Sequence, residues 1–248
     1  MEHSFPTRRS SDLFATIAPH TLEEAYEVVE AIEADDKPAL KDELGDLLFQ
    51  VVFYAQMAAE EGSFDFDQVA DSICDKMERR HPHVFGTAAM TDPKNHIRLW
   101  EEQKAAERAE KAATGVLDGV SVALPALSRA VKLQKRVARV GFDWPDVEHV
   151  FDKLTEEIGE LRDELGEHPD QARVTEEMGD ILFVVANLAR KLGVDPETAL
   201  RGCNQKFERR FRHIEKGLAD QGRNPEQASL DEMEALWVEA KQLEKAHG

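Results

Sequence analysis

Two acidic motifs lie close together in residues 153–182, and their spacing suits the binding of a cation. The first reads E-E-x-x-E at 156–160 and the second reads E-x-x-D at 177–180. Carboxylates three residues apart lie on one face of a helix. Between the motifs, residues 166–170 combine a glycine that can end a helix with a proline that cannot continue one. The sequence therefore predicts a helical hairpin that presents two pairs of carboxylates.

Carboxylates gathered in this way would repel one another unless a cation lay between them. The motifs offer oxygen ligands and contain neither cysteine nor histidine. Ligands of this kind favour Mg²⁺, with Mn²⁺ as the alternative. A solvated acidic face is the other interpretation of either motif taken alone. The occurrence of the same pair of motifs elsewhere in the chain favours the metal site.

Four short segments of the amino-terminal half recur in the same order in the carboxy-terminal half. E-E-A-Y-E resembles E-E-I-G-E, E-L-G-D-L-L-F resembles E-M-G-D-I-L-F, K-M-E-R-R resembles K-F-E-R-R, and W-x-x-x-K occurs twice. The offsets between matching segments are 133, 134, 130 and 137 residues. A repeat of this length indicates two copies of one domain. We place the first copy at residues 14–111, a linker at 112–122 and the second copy at 123–248.

Helical periodicity dominates the chain. Apolar residues after Pro38 recur at the i, i+3, i+4 spacing of a buried helical stripe, and almost no segment alternates with period two. The predicted fold is therefore all-α, with two tandem helical-bundle domains. Thr21 and Glu24 form a capping box, which predicts a helix that begins at Thr21. Gly45 and Gly179 are expected to allow close helix packing. Other helices are predicted at 66–80, 93–111, 125–140, 196–218 and 231–246.

The second copy also carries cationic and aromatic residues suited to a nucleotide. Lys206 and Arg210 stand four residues apart, so they form a cationic strip that can bind phosphate oxygens. Trp237 offers a flat surface on which a base can stack, and Lys241 lies one turn later. Taken singly, Trp237 is more often a core or interface residue, and such cations are more often a solvated face. Together with the carboxylates they predict a site for a metal-bound nucleotide.

Charge and cysteine content exclude several classes of protein. The formal net charge is −19, which argues against a general nucleic-acid binder and against binding to an anionic membrane surface. Cys74 and Cys203 lie far apart, so they indicate neither a zinc site nor a disulfide framework. No apolar run reaches the length of a membrane span, and residues 1–13 lack the apolar segment of a signal peptide. We expect a cytoplasmic protein.

The segments E-L-G-D-L-L-F-Q-V-V-F-Y-A-Q-M-A and K-M-E-R-R-H-P-H-V-F, with the duplicated acidic motifs, closely resemble the MazG family. The likeness runs from about Phe14 to the carboxy terminus. MazG proteins belong to the all-α nucleoside triphosphate pyrophosphohydrolases, which include dimeric dUTPases and phosphoribosyl-ATP pyrophosphohydrolase. The resemblance implies Mg²⁺-dependent hydrolysis of nucleoside triphosphates to monophosphate and pyrophosphate, as nucleotide-pool housekeeping. It also implies a homodimer of helical domains.

Carried onto this chain, the resemblance assigns roles to residues that match the motifs. The implied metal ligands are Glu157, Glu160, Glu177 and Asp180. The implied phosphate and base contacts are Lys153, Arg173, Lys206, Arg209, Arg210, Trp237 and Lys241. Among them Glu157, Lys206 and Arg210 are the expected catalytic residues, together with Glu156, which lies beside the ligands and is the candidate general base. The counterparts in the first copy are Glu24, Glu27, Glu43, Asp46, Lys76, Arg80, Trp100 and Lys104.

The two copies differ at positions that could touch a polyphosphate. The second copy has polar or cationic residues there, Lys153, Arg173, Asn187 and Asn204. The first copy has His20, Ala39, Phe53 and Cys74 in the same places. We therefore add Asn187 and Asn204 to the expected substrate contacts. We expect the second copy to be the active one and the first to be structural or regulatory.

Residues 1–13 are polar, carry no helical period and match nothing later in the chain. In the second copy a helix and the tryptophan-containing turn at 141–145 precede the acidic hairpin. Residues 1–13 occupy the corresponding place in the first copy. We interpret them as a non-native leader joined to a first copy that is truncated at its amino end.

Two other functions fit the same residues. The chain could bind a metal-bound nucleotide without turnover, as a regulatory or scaffold protein. It could also be a dedicated dUTPase or a sanitiser of modified nucleotides. A panel of triphosphates distinguishes these functions, because only an enzyme releases product and only a dedicated one prefers a single base.

Overall fold

A computed structural model describes residues 10–85, 115–166 and 168–247 of the chain. By its internal contacts the chain divides into two compact units, Met1–Glu107 and Arg108–Gly248. Every regular element in the described ranges is a helix, which confirms the predicted all-α fold. The predicted helix at 93–111 lies outside those ranges. None of the described helices is both long enough and apolar enough to span a membrane.

The first unit contains a long helical hairpin followed by shorter helices. Its elements are α1 (Ser10–Glu33), α2 (Lys37–Glu60), α3 (Phe66–Arg80) and α4 (Pro82–Phe85). The Asp36 side chain caps α2 by accepting a hydrogen bond from the backbone N–H of Ala39 at 3.0 Å. A capping box of Asp65 and Gln68 begins α3, whose bounds agree with the predicted 66–80. Helices α1 and α2 pack side by side and are joined by a short turn at residues 34–36.

The predicted start of the first helix at Thr21 is wrong. Helix α1 begins at Ser10 and continues through Pro19, so Thr21 lies in its interior. The Thr21 hydroxyl is 2.8 Å from the Tyr54 hydroxyl on α2, where it cannot act as a cap. About two turns earlier, Phe14 stacks on Tyr54 with ring centroids 5.7 Å apart. Packing against α2 therefore outweighs the capping signal and the cost of an internal proline.

The second unit repeats the hairpin and adds helices on both sides of it. Three aspartates cap successive helices, and each accepts a hydrogen bond from a backbone N–H of the first turn: Asp146, Asp170 and Asp195. The elements are α5 (Ala126–Ala138), α6 (Val147–Glu164), α7 (Gln171–Lys191), α8 (Pro196–Ala219), a 3-10 turn (Pro225–Gln227) and α9 (Leu230–His247). Helices α6 and α7 pack along each other, α8 packs with α9, and α5 packs on α7.

A small apolar core joins α5 to α7. Ala130 and Val131 from α5 meet Ala186 from α7, and Leu127 packs against them. The buried side chain of Gln134 donates a hydrogen bond to the carbonyl oxygen of Phe183 at 2.8 Å. This bond satisfies the amide nitrogen of Gln134 and fixes α5 on the hairpin that carries the acidic residues.

The turn at 141–145 is attached to the carboxyl end of α7 by charged side chains. Lys191 donates to Asp143 at 2.8 Å and to the carbonyl oxygen of Trp144, and Arg190 donates to the other oxygen of Asp143. Partial burial opposes ionisation of Asp143, but the hydrogen bonds from Lys191 and Arg190 outweigh it and lower the pKa of this carboxyl. At the matching positions of the first copy stand Gln56 and Met57.

Glycines inside the helices differ in what surrounds them. A Cβ atom at Gly217 of α8 would lie 2.9 Å from the Leu236 side chain of α9, so this glycine permits the close approach of the two helices. A Cβ at Gly45 or Gly179 meets nothing within 4 Å in the described part of the chain. The predicted role of Gly45 and Gly179 in close helix packing is therefore wrong within each unit.

We expect Asp143→Asn to lower the free energy of unfolding by about 2 kcal/mol at neutral pH, because two charged hydrogen bonds are lost. Since the pKa of Asp143 is lowered by folding, its contribution is present above the unfolded pKa of about 3.9 and disappears as the pH falls through the lower folded value. The measurement is urea unfolding across this range, with the exposed Asp152→Asn as control. Equal stability of Asp143→Asn and the wild type at neutral pH would contradict the role of this turn.

Gly217→Ala is expected to destabilise the second unit by about 1 kcal/mol, because the new methyl group displaces the half-buried Leu236 side chain from its packing on α8. Gly202 provides a matched control in the same helix, since a Cβ there meets nothing within 4 Å in the described ranges. Gly202→Ala should raise stability by up to about 1 kcal/mol through helix propensity. Urea unfolding of the two variants compares them directly, and effects of the same sign would argue against close packing at Gly217.

Candidate active site

The predicted acidic hairpin forms in the second unit and brings carboxylates from two helices together. Glu157 lies on α6, and Glu177 and Asp180 lie on α7. One carboxylate oxygen from each of these residues lies within 4.8 Å of the others. Glu157 is 5% exposed, while Asp180 remains on the surface. The cluster is therefore buried at Glu157 and exposed to solvent at Asp180.

Glu160 lies at the edge of this cluster. Desolvation, and then the negative charges of Glu157 and Glu177, raise the pKa of the Glu160 carboxyl. Nearby carboxylates disfavour the charged form of one another. The fourth predicted ligand is therefore close enough to respond to the cluster electrostatically, although it is outside the closely spaced triad.

The first unit gathers the corresponding carboxylates. Oxygens of Glu24, Glu27 and Glu43 lie within 4.8 Å of one another. Desolvation raises the pKa of Glu27, followed by the charges of Glu43 and Glu24 and, more weakly, Asp46. The four counterparts named from the repeat thus share one site on α1 and α2. Of the remaining counterparts, Lys76 and Arg80 lie on α3, whereas Trp100 and Lys104 fall outside the described residues.

These clusters fit a hard divalent cation. They supply carboxylate oxygens at a spacing that one ion can bridge, and no thiol or imidazole takes part in either cluster. Desolvation first, and then the charges of neighbouring carboxylates, raise the pKa of Glu160 and of Glu27. A cation placed among the oxygens would remove the repulsion between these charges. The residues present thus satisfy the chemical requirements of a Mg²⁺ or Mn²⁺ site.

In the second unit a lysine already contacts the cluster. Lys153 Nζ lies 2.8 Å from an oxygen of Glu156 and 2.8 Å from an oxygen of Glu157. The hydrogen bonds that Lys153 donates to these two glutamates raise the pKa of the lysine, so it stays charged. At the matching position of the first unit, His20 pairs with Glu23 at 3.3 Å. The two copies therefore differ here in their contacts as well as in sequence, because Lys153 pairs with a carboxylate of the cluster and His20 pairs with Glu23 instead.

A second group of predicted residues meets where α8 and α9 pack together. Arg210 of α8 donates from Nε and Nη2 to one oxygen of Glu244 on α9, at 2.9 and 2.7 Å. Its guanidinium carbon lies 5.4 Å from the centroid of the Trp237 ring, a cation–π distance. Phe207 contacts the same tryptophan with ring centroids 5.4 Å apart. Arg210 is thus held between an acidic and an aromatic side chain.

The other predicted substrate contacts on α8 and α9 are accessible. Arg209 reaches the second oxygen of Glu244 at 3.7 Å, with its side chain 61% exposed. No hydrogen bond, ion pair or ring contact among the described residues joins this group to the acidic cluster. The exposed residues are Asn204, Lys206, Arg209 and Lys241.

Two predicted contacts on α7 are engaged within the second unit. Arg173 pairs with Glu164 of α6 at 2.6 Å, which closes the loop side of the acidic hairpin. Asn187 is 2% exposed, and its Oδ1 accepts a hydrogen bond from Arg190 at 3.1 Å. Since the oxygen faces Arg190, the NH₂ group of Asn187 is turned away from it. Asn187 can therefore offer hydrogen-bond donors but no free acceptor oxygen on its other side.

Sequence reasoning missed the partners that fix these side chains. Arg190 holds both Asn187 and Asp143, and no short motif marks it. Glu244 did have a signal: seven residues after Trp237 stands Glu244, and seven residues after Trp100 stands Glu107. The repeated motif was therefore W-x-x-x-K-x-x-E rather than W-x-x-x-K.

Helical hairpins that gather three closely spaced carboxylates in each unit define an all-α protein with two candidate divalent-cation sites. The MazG nucleotide pyrophosphohydrolase domain matches residues 13–85 and 146–215. Both carboxylate clusters lie inside the matched segments, and the second segment ends before Trp237. The chain therefore belongs to the MazG family, as the sequence resemblance predicted.

Similarity to individual proteins extends over most of the chain. It is 52% identical to the nucleoside triphosphate pyrophosphohydrolase of Escherichia coli strain K12 over 232 residues, which cover 93% of this chain and 88% of that protein. It is 39% identical to the nucleoside triphosphate pyrophosphohydrolase/pyrophosphatase MazG of Thermotoga maritima over 226 residues, 91% of this chain and 85% of that protein. It is also 42% identical to the uncharacterized protein YabN of Bacillus subtilis over 230 residues, 93% of this chain and 47% of that protein.

We expect Glu160→Gln to raise the stability of the metal-free protein, because it removes one charge from the crowded cluster. Folding raises the pKa of Glu160, so the folded state favours the protonated form of this carboxyl. The gain should be absent below the unfolded pKa of about 4.3 and appear as the pH rises through the higher folded value. Thermal unfolding in the presence of a chelator measures this gain in stability, with Glu215→Gln at an exposed position of α8 as the control. A loss of stability in Glu160→Gln above that range would contradict the repulsion.

Proposed function

We propose that this protein hydrolyses nucleoside triphosphates to nucleoside monophosphate and pyrophosphate, as nucleotide-pool housekeeping. One water molecule is consumed and the anhydride between the α and β phosphates is broken. The convergence of Glu157, Glu177 and Asp180 on α6 and α7, inside a matched MazG segment, is the observation that carries this proposal. The names of the similar proteins from E. coli and T. maritima support the same reaction.

The proposal includes Mg²⁺ as cofactor, held by Glu157, Glu160, Glu177 and Asp180. A divalent cation bound there would offset charge on phosphate oxygens and make water easier to ionise. Without the cation these four carboxylates would repel the phosphates. With it, a triphosphate would bind on the side of the hairpin where the cation lies. Lys153 keeps one cationic group beside the cluster, where it can contact a phosphate oxygen.

The proposed roles of the other residues follow from their charge and position. Arg210 and Lys206 would bind the pyrophosphate that leaves and stabilise its developing charge. Glu156, which pairs with Lys153 at 2.8 Å, is the proposed general base that takes the proton of water. Trp237 and Lys241 would contact the base end of the nucleotide. The remaining proposed substrate contacts are Arg173, Asn187, Asn204 and Arg209.

We assign activity to the second copy, with the first copy as a structural or regulatory domain. Both units contain a carboxylate cluster, so the cluster alone does not separate them. In the second unit Lys153 contacts Glu157, and Asn187 is oriented by Arg190. The first copy has His20 and Phe53 at these positions. The proposed domain boundaries are 14–111 and 123–248, with a linker at 112–122.

We further propose that the protein acts as a homodimer in the cytoplasm. Several large apolar side chains on the acidic hairpins are exposed in each unit, among them Leu48, Phe49, Leu182 and Phe183. Exposed apolar faces of this kind favour association of small helical domains. The net charge of −19 argues against nucleic acids and anionic membranes as partners.

The reaction is tested with a panel of ribo- and deoxyribonucleoside triphosphates and Mg²⁺. We expect equimolar monophosphate and pyrophosphate, detected by anion-exchange chromatography before any pyrophosphatase is added. Release of orthophosphate would overturn the reaction. Saturable binding without product would instead support a regulatory or scaffold protein, and turnover of dUTP or of one modified base alone would support a dedicated sanitiser.

Glu177→Gln is expected to reduce turnover at least about 100-fold, because it removes a proposed metal ligand and with it charge stabilisation on the phosphates. The matched variant in the first unit is Glu43→Gln, which should keep turnover within about twofold of the wild type if the active site lies in the second copy. Steady-state kinetics with excess Mg²⁺ compare the two variants. Equal losses would remove the assignment of activity to the second copy.

A further inference from the structure

The position of Arg210 is fixed by side chains from another helix. Two of its nitrogens, Nε and Nη2, donate to the same oxygen of Glu244 at 2.9 and 2.7 Å. Its guanidinium also lies 5.4 Å from the centroid of Trp237. Both partners belong to α9, whereas Arg210 belongs to α8. The orientation of this arginine therefore depends on how α9 packs against α8.

The contact with Glu244 uses one edge of the guanidinium. A guanidinium has five N–H donors in a rigid plane, and Glu244 engages the edge formed by Nε and Nη2. The third nitrogen, Nη1, makes neither of these two hydrogen bonds to Glu244. A plane held along one edge and across one face keeps its opposite edge in a constant direction.

Arg210 differs in this respect from its neighbours. Its side chain is 17% exposed, in contrast to the exposed side chain of Arg209, which reaches Glu244 only at 3.7 Å. Arg212 pairs with Glu208 on the same helix at 3.5 Å, a solvent-exposed pair of the kind that contributes little to stability. Of these three arginines, Arg210 alone is held in a largely buried contact with α9.

The spacing of Glu244 is repeated in the first copy. The motif W-x-x-x-K-x-x-E places Glu244 seven residues after Trp237 and Glu107 seven residues after Trp100. The arginine of K-x-x-R-R is likewise present in both copies, as Arg210 and Arg80. The glutamate thus accompanies the tryptophan and the arginine in each copy, which links it to the repeated motif rather than to the surface of one unit.

We propose that Glu244 is a positioning residue, which with Trp237 orients Arg210 so that its opposite edge binds the polyphosphate of the nucleotide. This inference rests on the proposed hydrolysis of triphosphates, for which Arg210 is a phosphate contact. Glu244 does not touch the substrate, because an anion beside the phosphates would repel them. It acts through the arginine by restricting the directions that the guanidinium can take.

The electrostatics of the pair allow Glu244 to perform this role. The hydrogen bond from Arg210 lowers the pKa of Glu244 despite its desolvation, and the positive charges of Arg210, Arg209 and Lys206 contribute in the same direction. Glu244 therefore remains ionised wherever a triphosphate enzyme would work. Three cations act on this one carboxylate, so Glu244 alone does not cancel the positive charge that they offer to a phosphate.

The test is a double-mutant cycle between Arg210→Ala and Glu244→Gln. Affinity for a triphosphate with a non-hydrolysable α,β-methylene bridge is measured by calorimetry with Mg²⁺, and kcat and KM are measured with the hydrolysable nucleotide. We expect Glu244→Gln to weaken binding or lower kcat/KM about tenfold in the wild-type background. In the Arg210→Ala background it should have no further effect, since residues that act through one another are not additive.

Two controls separate positioning from folding. Glu239→Gln changes a carboxylate of the same helix that lies 3.8 Å from His213, and it should leave binding and turnover unchanged. Urea unfolding of each variant shows whether a loss of binding is accompanied by a loss of stability. Glu244→Asp retains the charge on a shorter side chain and should recover part of the loss.

Each outcome decides between the two proposals. If the wild type binds and hydrolyses triphosphates but Glu244→Gln behaves like the wild type, positioning is overturned and the proposed function stands. Additive effects of Glu244→Gln and Arg210→Ala would also overturn it, because the glutamate would then act independently of the arginine. A wild type that neither binds nor hydrolyses any triphosphate would overturn both proposals.

Discussion

Repulsion between carboxylates is the constraint on which this structure depends. Helices α6 and α7 pack side by side and place oxygens of Glu157, Glu177 and Asp180 within 4.8 Å of one another. Lys153 offsets part of the negative charge, while desolvation and then the charges of Glu157 and Glu177 raise the pKa of Glu160. The fold therefore holds an unfavourable arrangement that a divalent cation would relieve. Stability is reduced at the place where binding energy can be gained.

Several cations of the second unit are held by partners that are distant in sequence. Glu244 and Trp237 of α9 fix Arg210 of α8, and Asp143 in the turn before α6 fixes Arg190 and Lys191 at the end of α7. Each pair joins elements that are distant in sequence. The charged groups thus serve two purposes, since they connect the helices and they set the direction of neighbouring polar side chains such as Asn187. The geometry of the candidate site is consequently inseparable from the packing of the hairpins.

The two units show how one scaffold can carry unequal sites. Both form an acidic cluster on a helical hairpin, because the spacing E-x-x-E and E-x-x-D is the same in each copy. They differ in the residues around the cluster: Lys153 contacts a carboxylate, whereas His20 pairs with Glu23 outside the triad. Backbone architecture and ligand spacing are therefore common to the copies, and the surrounding cations distinguish them.

The sequence by itself determined the all-α fold, the bounds of α3, the duplication and the grouping of carboxylates, because helical periodicity and motif spacing are local properties. Only the tertiary structure decided where α1 begins, since packing of Phe14 and Thr21 on Tyr54 outweighs the capping signal. It also decided which side chains hold Arg210 and Asn187. Those partners lie on other helices, and their positions follow from side-chain packing that no short-range pattern in the chain encodes.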